Sequence, residues 1–572
     1  MITASASVIR NREYQDMTRL KILLAVVSAG FLMACSTTVD KQESDPFVML
    51  RLRGTATFSE ENWEKTYRAI KESPGCCDEV WFSTGLGFAD QETLRDRAER
   101  IRRGSRQLKQ LGIGTSLQIQ MTIGHGDQLA IGEEHLYSGL TWTRWTGYSG
   151  AVNQYCSCPR DPEFLEYIRL MSQIYAETRP RSLWIDDDLR YSNHQPATTK
   201  DSPIGCWCER CIADFNAVND AHWTAQTLLR AMENDPALSE KWTLFCTSSL
   251  TGIARIIAEE FTRISPETTL GLQGGRKIES VEVQTAILRT LHEVSGKPCG
   301  YRPGGSSYYD DSNAAPQIIK SMGSARFRKL MGDPGWITEW CPEIETSPRV
   351  YGSRTPQGVL VEGFAALAYG LDKLSMFVMA PEKESDTVYS RTMLQPIAKG
   401  LPMLRAYAGA NEGTVPVGFT SEVSCDSLYA FGCTSIPVLP GPGKELGVLT
   451  RYDWDSPYLT KETSDCVQRL RESFDSRGAS PVLCCSPFIG LMIPRIDDEG
   501  ELRTLGLLNV RIDSQGPVRL RLPSLRRKVR SARWYEMKCE PMRLRIEREG
   551  DDAYVTIPRI GAWNAGFLSF NE

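Results

Sequence analysis

The sequence predicts a (β/α)₈ barrel, followed by a small α/β domain and a C-terminal β-sandwich. Three observations predict it. Between Phe47 and Met379, eight short apolar runs alternate with helix-patterned segments, a rhythm that suits a closed parallel barrel better than an open sheet. No strand leads into the glycine spacing of a dinucleotide-binding turn; Gly271 to Gly275 lacks it. Beyond Pro481 the pattern turns to strict alternation, as in Val518-Arg-Leu-Arg-Leu, the mark of half-buried antiparallel strands.

The elements follow in order. Phe47-Val-Met-Leu-Arg-Leu is the first strand and Ser59 to Lys71 its helix. Asp78-Glu-Val-Trp-Phe-Ser is the second, and Asp90 caps a helix carrying Leu94, Ala98, Ile101 and Leu108 on one side. Thr115 to Met121 is the third. Asp161 and Pro162 then open a helix striped by Phe164, Ile168, Met171 and Tyr175. Arg181-Ser-Leu-Trp-Ile-Asp is the fourth strand, and Thr243 to Phe261 reads as helix. Strands five to eight fall at Thr269 to Gln273, Pro298 to Tyr301, Trp336 to Ile344 and Leu374 to Met379. Helices at Glu282 to Val294, Ala325 to Met331 and Val359 to Tyr369 separate them. The expected divisions are a leader (1–35), a linker (36–45), the barrel (46–390), the α/β domain (391–480) and the sandwich (481–572).

The leader has its own logic. Arg19 and Lys21 precede an apolar run from Ile22 to Met33, too short to cross a bilayer and built like a signal segment. It ends Leu32-Met33-Ala34-Cys35, which resembles a lipoprotein signal. That resemblance implies acylation of Cys35 and a lipid anchor holding the chain at the periplasmic side of the outer membrane or the cell surface. With 66 Lys and Arg against 71 Asp and Glu, no cationic field exists to hold a phosphate backbone, which argues against nucleic acid as a partner.

In a barrel, chemistry sits at the C-terminal strand ends. Strand four ends in Asp186-Asp187-Asp188 and Arg190; three adjacent carboxylates are poor core material, and one can keep its proton because its neighbours repel the charge. Strand seven offers Glu339, Glu343 and Glu345. One carboxyl from each strand, facing across the mouth, is the pair that glycosidic cleavage requires: an acid for the leaving oxygen, and a carboxylate to attack C1 or activate water. Asp187 or Asp188 is the expected acid, with Glu345 or Glu343 opposite. Arg53, His125, Trp142, Trp145, Asp186, Arg190, Arg302, Tyr308, Asp310 and Glu339 are expected to face the sugar, aromatic faces stacking and charged groups fixing hydroxyls. No catalytic cofactor is implied. The expected partner is an oligosaccharide or glycoconjugate, and a homo-oligomer remains open. The competing reading is a non-catalytic carbohydrate-binding lipoprotein, which needs no opposed acids.

Of the 17 cysteines, five gather around strand four. Cys158, Cys206, Cys208 and Cys211 can form a structural tetrathiolate zinc site, with Cys156 as the alternative first ligand and disulfides as the rival chemistry.

These motifs together resemble the bacterial β-galactosidases of glycoside hydrolase family 42 and related barrel glycosidases of the same clan. The Cys-x-Cys-x-x-Cys loop at Cys206 to Cys211 and the earlier Cys158-Pro159-Arg160-Asp161-Pro162 carry the likeness, as do Glu345-Thr346-Ser347-Pro348 and Ala368-Tyr369-Gly370. The resemblance implies a structural zinc after strand four and favours Glu345 as nucleophile, with Glu343 close behind. The family has Asn-Glu where this chain has only aspartates, one methylene shorter. That departure points to a distinct family within the clan.

Overall fold

A computed structural model describes residues 45–85, 87–124, 141–191, 205–275, 281–305, 315–346, 354–381, 385–421, 425–449, 480–523, 525 and 528–570. The leader with Cys35, and the site candidates His125, Tyr308 and Asp310, lie outside the described residues. From Phe47 onward the chain is one compact unit.

The barrel strands are β1 (Val48–Arg51), β2 (Glu79–Ser83), β3 (Gly114–Ile119), β4 (Ser182–Ile185), β5 (Thr269–Gly274), β6 (Cys299–Pro303), β7 (Ile337–Trp340 and Glu343–Glu345) and β8 (Leu374–Phe377). All pair in parallel in sequence order. The seventh strand is broken at Cys341–Pro342, where proline has no N–H to give the ladder. Its first half pairs with β6 and its second with β8, while β8 pairs with β1. The ladder therefore returns to its start and the barrel closes.

The helices pack outside as the apolar stripes dictate. Ser59, Asp90 and Asp161 each accept backbone N–H groups at a helix start, and Leu94, Ala98, Ile101 and Leu108 are buried together. The eighth helix, Gln395–Ala410, lies beside the first: Gln395 donates to the Glu72 carbonyl (2.9 Å) and Arg405 pairs with Asp78 (2.7 Å). The expected barrel boundary at 390 is thus corrected to about Ala410, because this helix completes the outer ring. The next segment supplies a strand (Val415–Ser421), a helix (Cys425–Gly432) and a second strand (Lys444–Leu449). Both strands join the sandwich's seven-stranded sheet, which faces a four-stranded one. The two sheets enclose a separate core around Leu505, Leu520, Val555 and Leu568. Tyr407 of the eighth helix stacks on Phe364 and meets Phe567 of the sandwich at 4.8 Å.

Inside the barrel, alternation turns Met49, Trp81, Trp184 and Cys341 to the axis, where they form a small apolar plug of their own. Trp81 and Trp184 stack at 4.3 Å. Glycine on the neighbouring strands makes that possible: a Cβ at Gly271 or Gly300 would sit 2.6 or 2.3 Å from the Trp184 ring. Beneath the plug lies a charge layer of buried Glu79 and Lys373 with the partly exposed Arg181 and Glu339. Above it, toward the C-terminal strand ends, the interior is polar again.

Candidate active site

Directly above the plug, four inward side chains form a hydrogen-bonded chain across the barrel. Arg51 Nε donates to Gln118 Oε1 (3.3 Å), Gln273 Nε2 to the same oxygen (3.2 Å), and Arg302 Nε to Gln273 Oε1 (2.8 Å). All four are buried. Two fixed guanidinium groups in a low-dielectric interior require anions, and the carboxylates at the ends of β4 and β7 supply them. Arg302 Nη1 lies 2.5 Å from Glu343 Oε1 while its Nη2 lies 3.3 Å from Asp186 Oδ1. Arg51 approaches Glu343 (3.7 Å) and Glu345 (3.9 Å), over the face of Phe377. The backbone N–H of Gly305 donates to the other Glu343 oxygen at 2.7 Å. One guanidinium thus spans a carboxyl from each expected strand.

The three aspartates divide by alternation. Asp186 points into the barrel. Burial, and then the charge on Asp187, push its carboxyl up to about 6 against the pull of Arg51 and Arg302. Asp187 is turned aside to Arg190 (2.6 Å), and that pair lies over Gly275, where a Cβ would stand 2.5 Å from Arg190 Nη1. Asp188 is almost fully buried. The end of β7 is braced from outside by a second buried set: Arg354 donates to the Glu345 carbonyl (2.9 Å) and pairs with Glu362, which also holds Lys320 (2.7 Å).

Several expected sugar contacts lie elsewhere. Glu339 precedes Glu343 by four residues and lies on the other side of Cys341, the plug residue of this broken strand. It is bound to Lys373 (2.8 Å) beneath the tryptophan plug, so it belongs to the barrel floor. Trp142 is buried, donates to Ser157 Oγ (2.8 Å) and packs against Phe88 and Tyr167. Trp145 is 3% exposed. Neither tryptophan offers a free face to a ligand. Arg53 lies two residues beyond β1 and is largely buried. Arg51, Gln118 and Gln273 were not among the expected residues, although Arg51 shares its strand's inward register with Met49 of the plug and Gln273 shares its own with Gly271 beside the Trp184 ring.

Cys158, Cys206, Cys208 and Cys211 converge, with all four Sγ atoms within 4.8 Å of one another. Cys158 lies 3.5 Å from Cys211 and 3.6 Å from Cys208. Disulfide sulfurs stand at ~2.05 Å, whereas Zn–S bonds of ~2.3 Å at tetrahedral angles put sulfurs ~3.8 Å apart. The donor set fits the second geometry. Cys156 is buried outside the quartet.

No family model matches this sequence, and no curated protein matches it. Solved structures do match its fold. An α-L-fucosidase isoenzyme 2 from Paenibacillus thiaminolyticus superposes with a TM-score of 0.58 at 9% identity, covering 92% of this chain and 100% of that one. A β-galactosidase from Bacillus circulans sp. alkalophilus gives 0.57 at 11%, over 93% and 100%. A catalytic mutant of Gan42B, a family 42 β-galactosidase from G. stearothermophilus, gives 0.54 at 9%, over 91% and 98%. The chain shares the fold of these glycoside hydrolases across nearly its whole described length.

Proposed function

We propose that this chain is a glycoside hydrolase acting on an oligosaccharide or glycoconjugate through two carboxyl groups. The observation that carries the reading is Arg302 holding Asp186 and Glu343 together at the C-terminal mouth. Carboxylates aimed into separate pockets would have favoured the carbohydrate-binding alternative. Asp186 takes the role of acid, since its surroundings keep its proton into the weakly acidic range. Glu343 is the partner that attacks C1 or activates water, in preference to Glu345, because it shares Arg302 with Asp186 and accepts from the Gly305 N–H. Asp187 and Asp188 then serve as flanking charges.

A single guanidinium limits the two carboxyl groups to at most about 8 Å apart, oxygen to oxygen. That span includes both the retaining and the inverting spacings. The fold does not choose the sugar; the neighbours above include enzymes named for galactose and for fucose. A panel of nitrophenyl glycosides, with β-galactosides and α-fucosides among them, tests the reading, and NMR of the first-formed anomer reads the stereochemistry. At least one substrate should be cleaved, with kcat/KM falling as pH rises through about 6, where Asp186 loses its proton. Inactivity across the panel would count against hydrolysis.

Export as a lipoprotein anchored through Cys35, with a tetrathiolate zinc beside strand four, completes the proposal. Expressed in a Gram-negative host, the chain should incorporate a clickable palmitate analogue, and Cys35→Ser should abolish the label. Labelling that survives the substitution would refute the anchor.

A further inference from the structure

Away from the carboxylates, an open groove of about 1080 Å³ runs between two loop structures. One wall is the hairpin Arg144–Thr146/Val152–Ser157 that follows β3. The other is formed by the helices Glu209–Asn219 and Ala225–Asn234 that follow β4. Both walls grow from C-terminal strand ends, so the groove shares the barrel face that carries Asp186 and Glu343. We propose that it binds a neutral oligosaccharide chain as an accessory site, separate from the site of cleavage.

Three features carry this. The lining mixes the partly exposed aromatics Tyr148 and Trp223 with polar groups such as Gln226 and Glu209. Aromatic faces for sugar rings and polar groups for hydroxyls are what a glycan needs. Charged residues (Glu209, Arg210, Asp214) line it too, whereas the core of a protein–protein interface is depleted in charge. No excess of cations is present to draw an anionic chain. The aromatic platform is also built in advance. Asn216 accepts from the Trp223 N–H (2.9 Å) and donates to its carbonyl (2.7 Å), fixing that residue's backbone from both sides. The Trp207 N–H donates to the Thr146 carbonyl (2.7 Å), tying the helix wall to the hairpin. The cysteine quartet links the same two loops. Rigid walls lower the ordering cost of binding. The volume lies just above the usual range of small-molecule sites, roughly 300–1,000 Å³, which leaves room for several sugar residues.

The inference builds on the glycan reading but not on hydrolysis. Its test uses the full chain carrying Glu343→Gln, so that no probe is consumed. Galactotriose, cellotriose, xylotriose and a fucosylated trisaccharide are titrated by calorimetry, and the complexes are examined by hydrogen–deuterium exchange. One probe should bind and protect the segments 143–150 and 207–226. Trp223→Ala and Tyr148→Ala, each added to that background, should weaken binding about ten-fold or more with the thermal midpoint retained. Should Trp223→Ala unsettle the fold, Tyr148→Ala at the hairpin turn carries the test alone. Absence of binding overturns the proposal, as does protection confined to the barrel mouth. So does a change in oligomeric mass on either substitution without loss of sugar binding, which would make a second copy of the chain the occupant. Hydrolysis by the unmodified chain is scored separately: cleavage without groove binding removes only this proposal, and groove binding without cleavage removes only the enzymatic one.

Discussion

Glu343→Gln should lower kcat by about 10³-fold or more on every cleavable substrate, while Asp186→Asn should lower it by an amount that depends on the leaving group. The two carboxyls have different tasks. A general acid contributes about 10²- to 10⁴-fold, and only where the departing oxygen needs a proton. A dinitrophenolate leaves unaided, so Asp186→Asn should be nearly silent on a dinitrophenyl glycoside in the bond-breaking step and severe on an alkyl or sugar aglycone. The partner carboxylate is needed whatever leaves, so Glu343→Gln offers no such escape. The alkaline fall near pH 6 should vanish in Asp186→Asn and persist, moved to lower pH, in Asp187→Asn, which removes a charge that raises Asp186. A loss in Asp186→Asn that is equal for good and poor leaving groups would remove its assignment as acid and return attention to Asp187.

Stability supplies an independent check on the same residue. The carboxyl of Asp186 is raised in the folded protein, to about 6, from an unfolded value near 3.9. Between those values the folded state binds more protons, so this residue's contribution to stability falls as pH rises through about 4 to 6. Asp186→Asn removes that dependence, and its thermal midpoint at pH 7 should equal or exceed that of the parent. Glu343→Gln behaves oppositely: it leaves Arg302 and Arg51 with one fewer buried anion, so a lower midpoint with retained circular dichroism is expected.

How far the sequence discloses this site depends on how far each residue obeys a local rule. The strands were legible because apolar runs and caps report backbone state directly; Asp90 and Asp161 accept the N–H groups their positions predicted. Cys206, Cys208 and Cys211 were legible together because their spacing is short-range, whereas Cys158, 50 residues before Cys208, left Cys156 open as the alternative. Register along a strand was readable in principle. It would have placed Arg51 inward two residues after Met49, and Glu339 four residues beneath Glu343. What it could not convey is where along the barrel axis the interior changes from plug to pocket. That level is set by Trp81 and Trp184 stacking in space vacated by Gly271 and Gly300, residues on four separate strands. Trp142 and Trp145 illustrate the same limit: a tryptophan in a long loop after β3 looks solvent-facing until Phe88, Phe164 and Tyr167 close over Trp142. The eighth helix was missed because Gln395–Ala410 carries Pro402 in its interior, a residue that argues against helix locally and is accommodated here by packing.

Removing metal from this protein should produce the largest change in its stability. One zinc per chain is expected by mass spectrometry of the metal content, held by Cys158, Cys206, Cys208 and Cys211. Four buried thiols this close cannot all ionise without a cation: burial, Cys158 and Cys208 push Cys206 up, and Cys158, Cys206 and Cys208 push Cys211 up, while Cys208 alone is drawn down by the other three. A divalent ion reverses that balance by making thiolate the favoured form. Free zinc a thousand-fold above its dissociation constant stabilises the folded chain by about 4 kcal/mol, which offsets the ordering of roughly two to four backbone residues around the ligands at ~1–2 kcal/mol each. Chelation under mild denaturant should therefore lower the thermal midpoint and expose four thiols to an alkylating reagent together. Cys211→Ser should reproduce the effect, whereas Cys156→Ser, outside the quartet, should keep full metal content. Full alkylation of the four thiols only after reduction, with no metal present, would instead establish disulfides and withdraw the zinc.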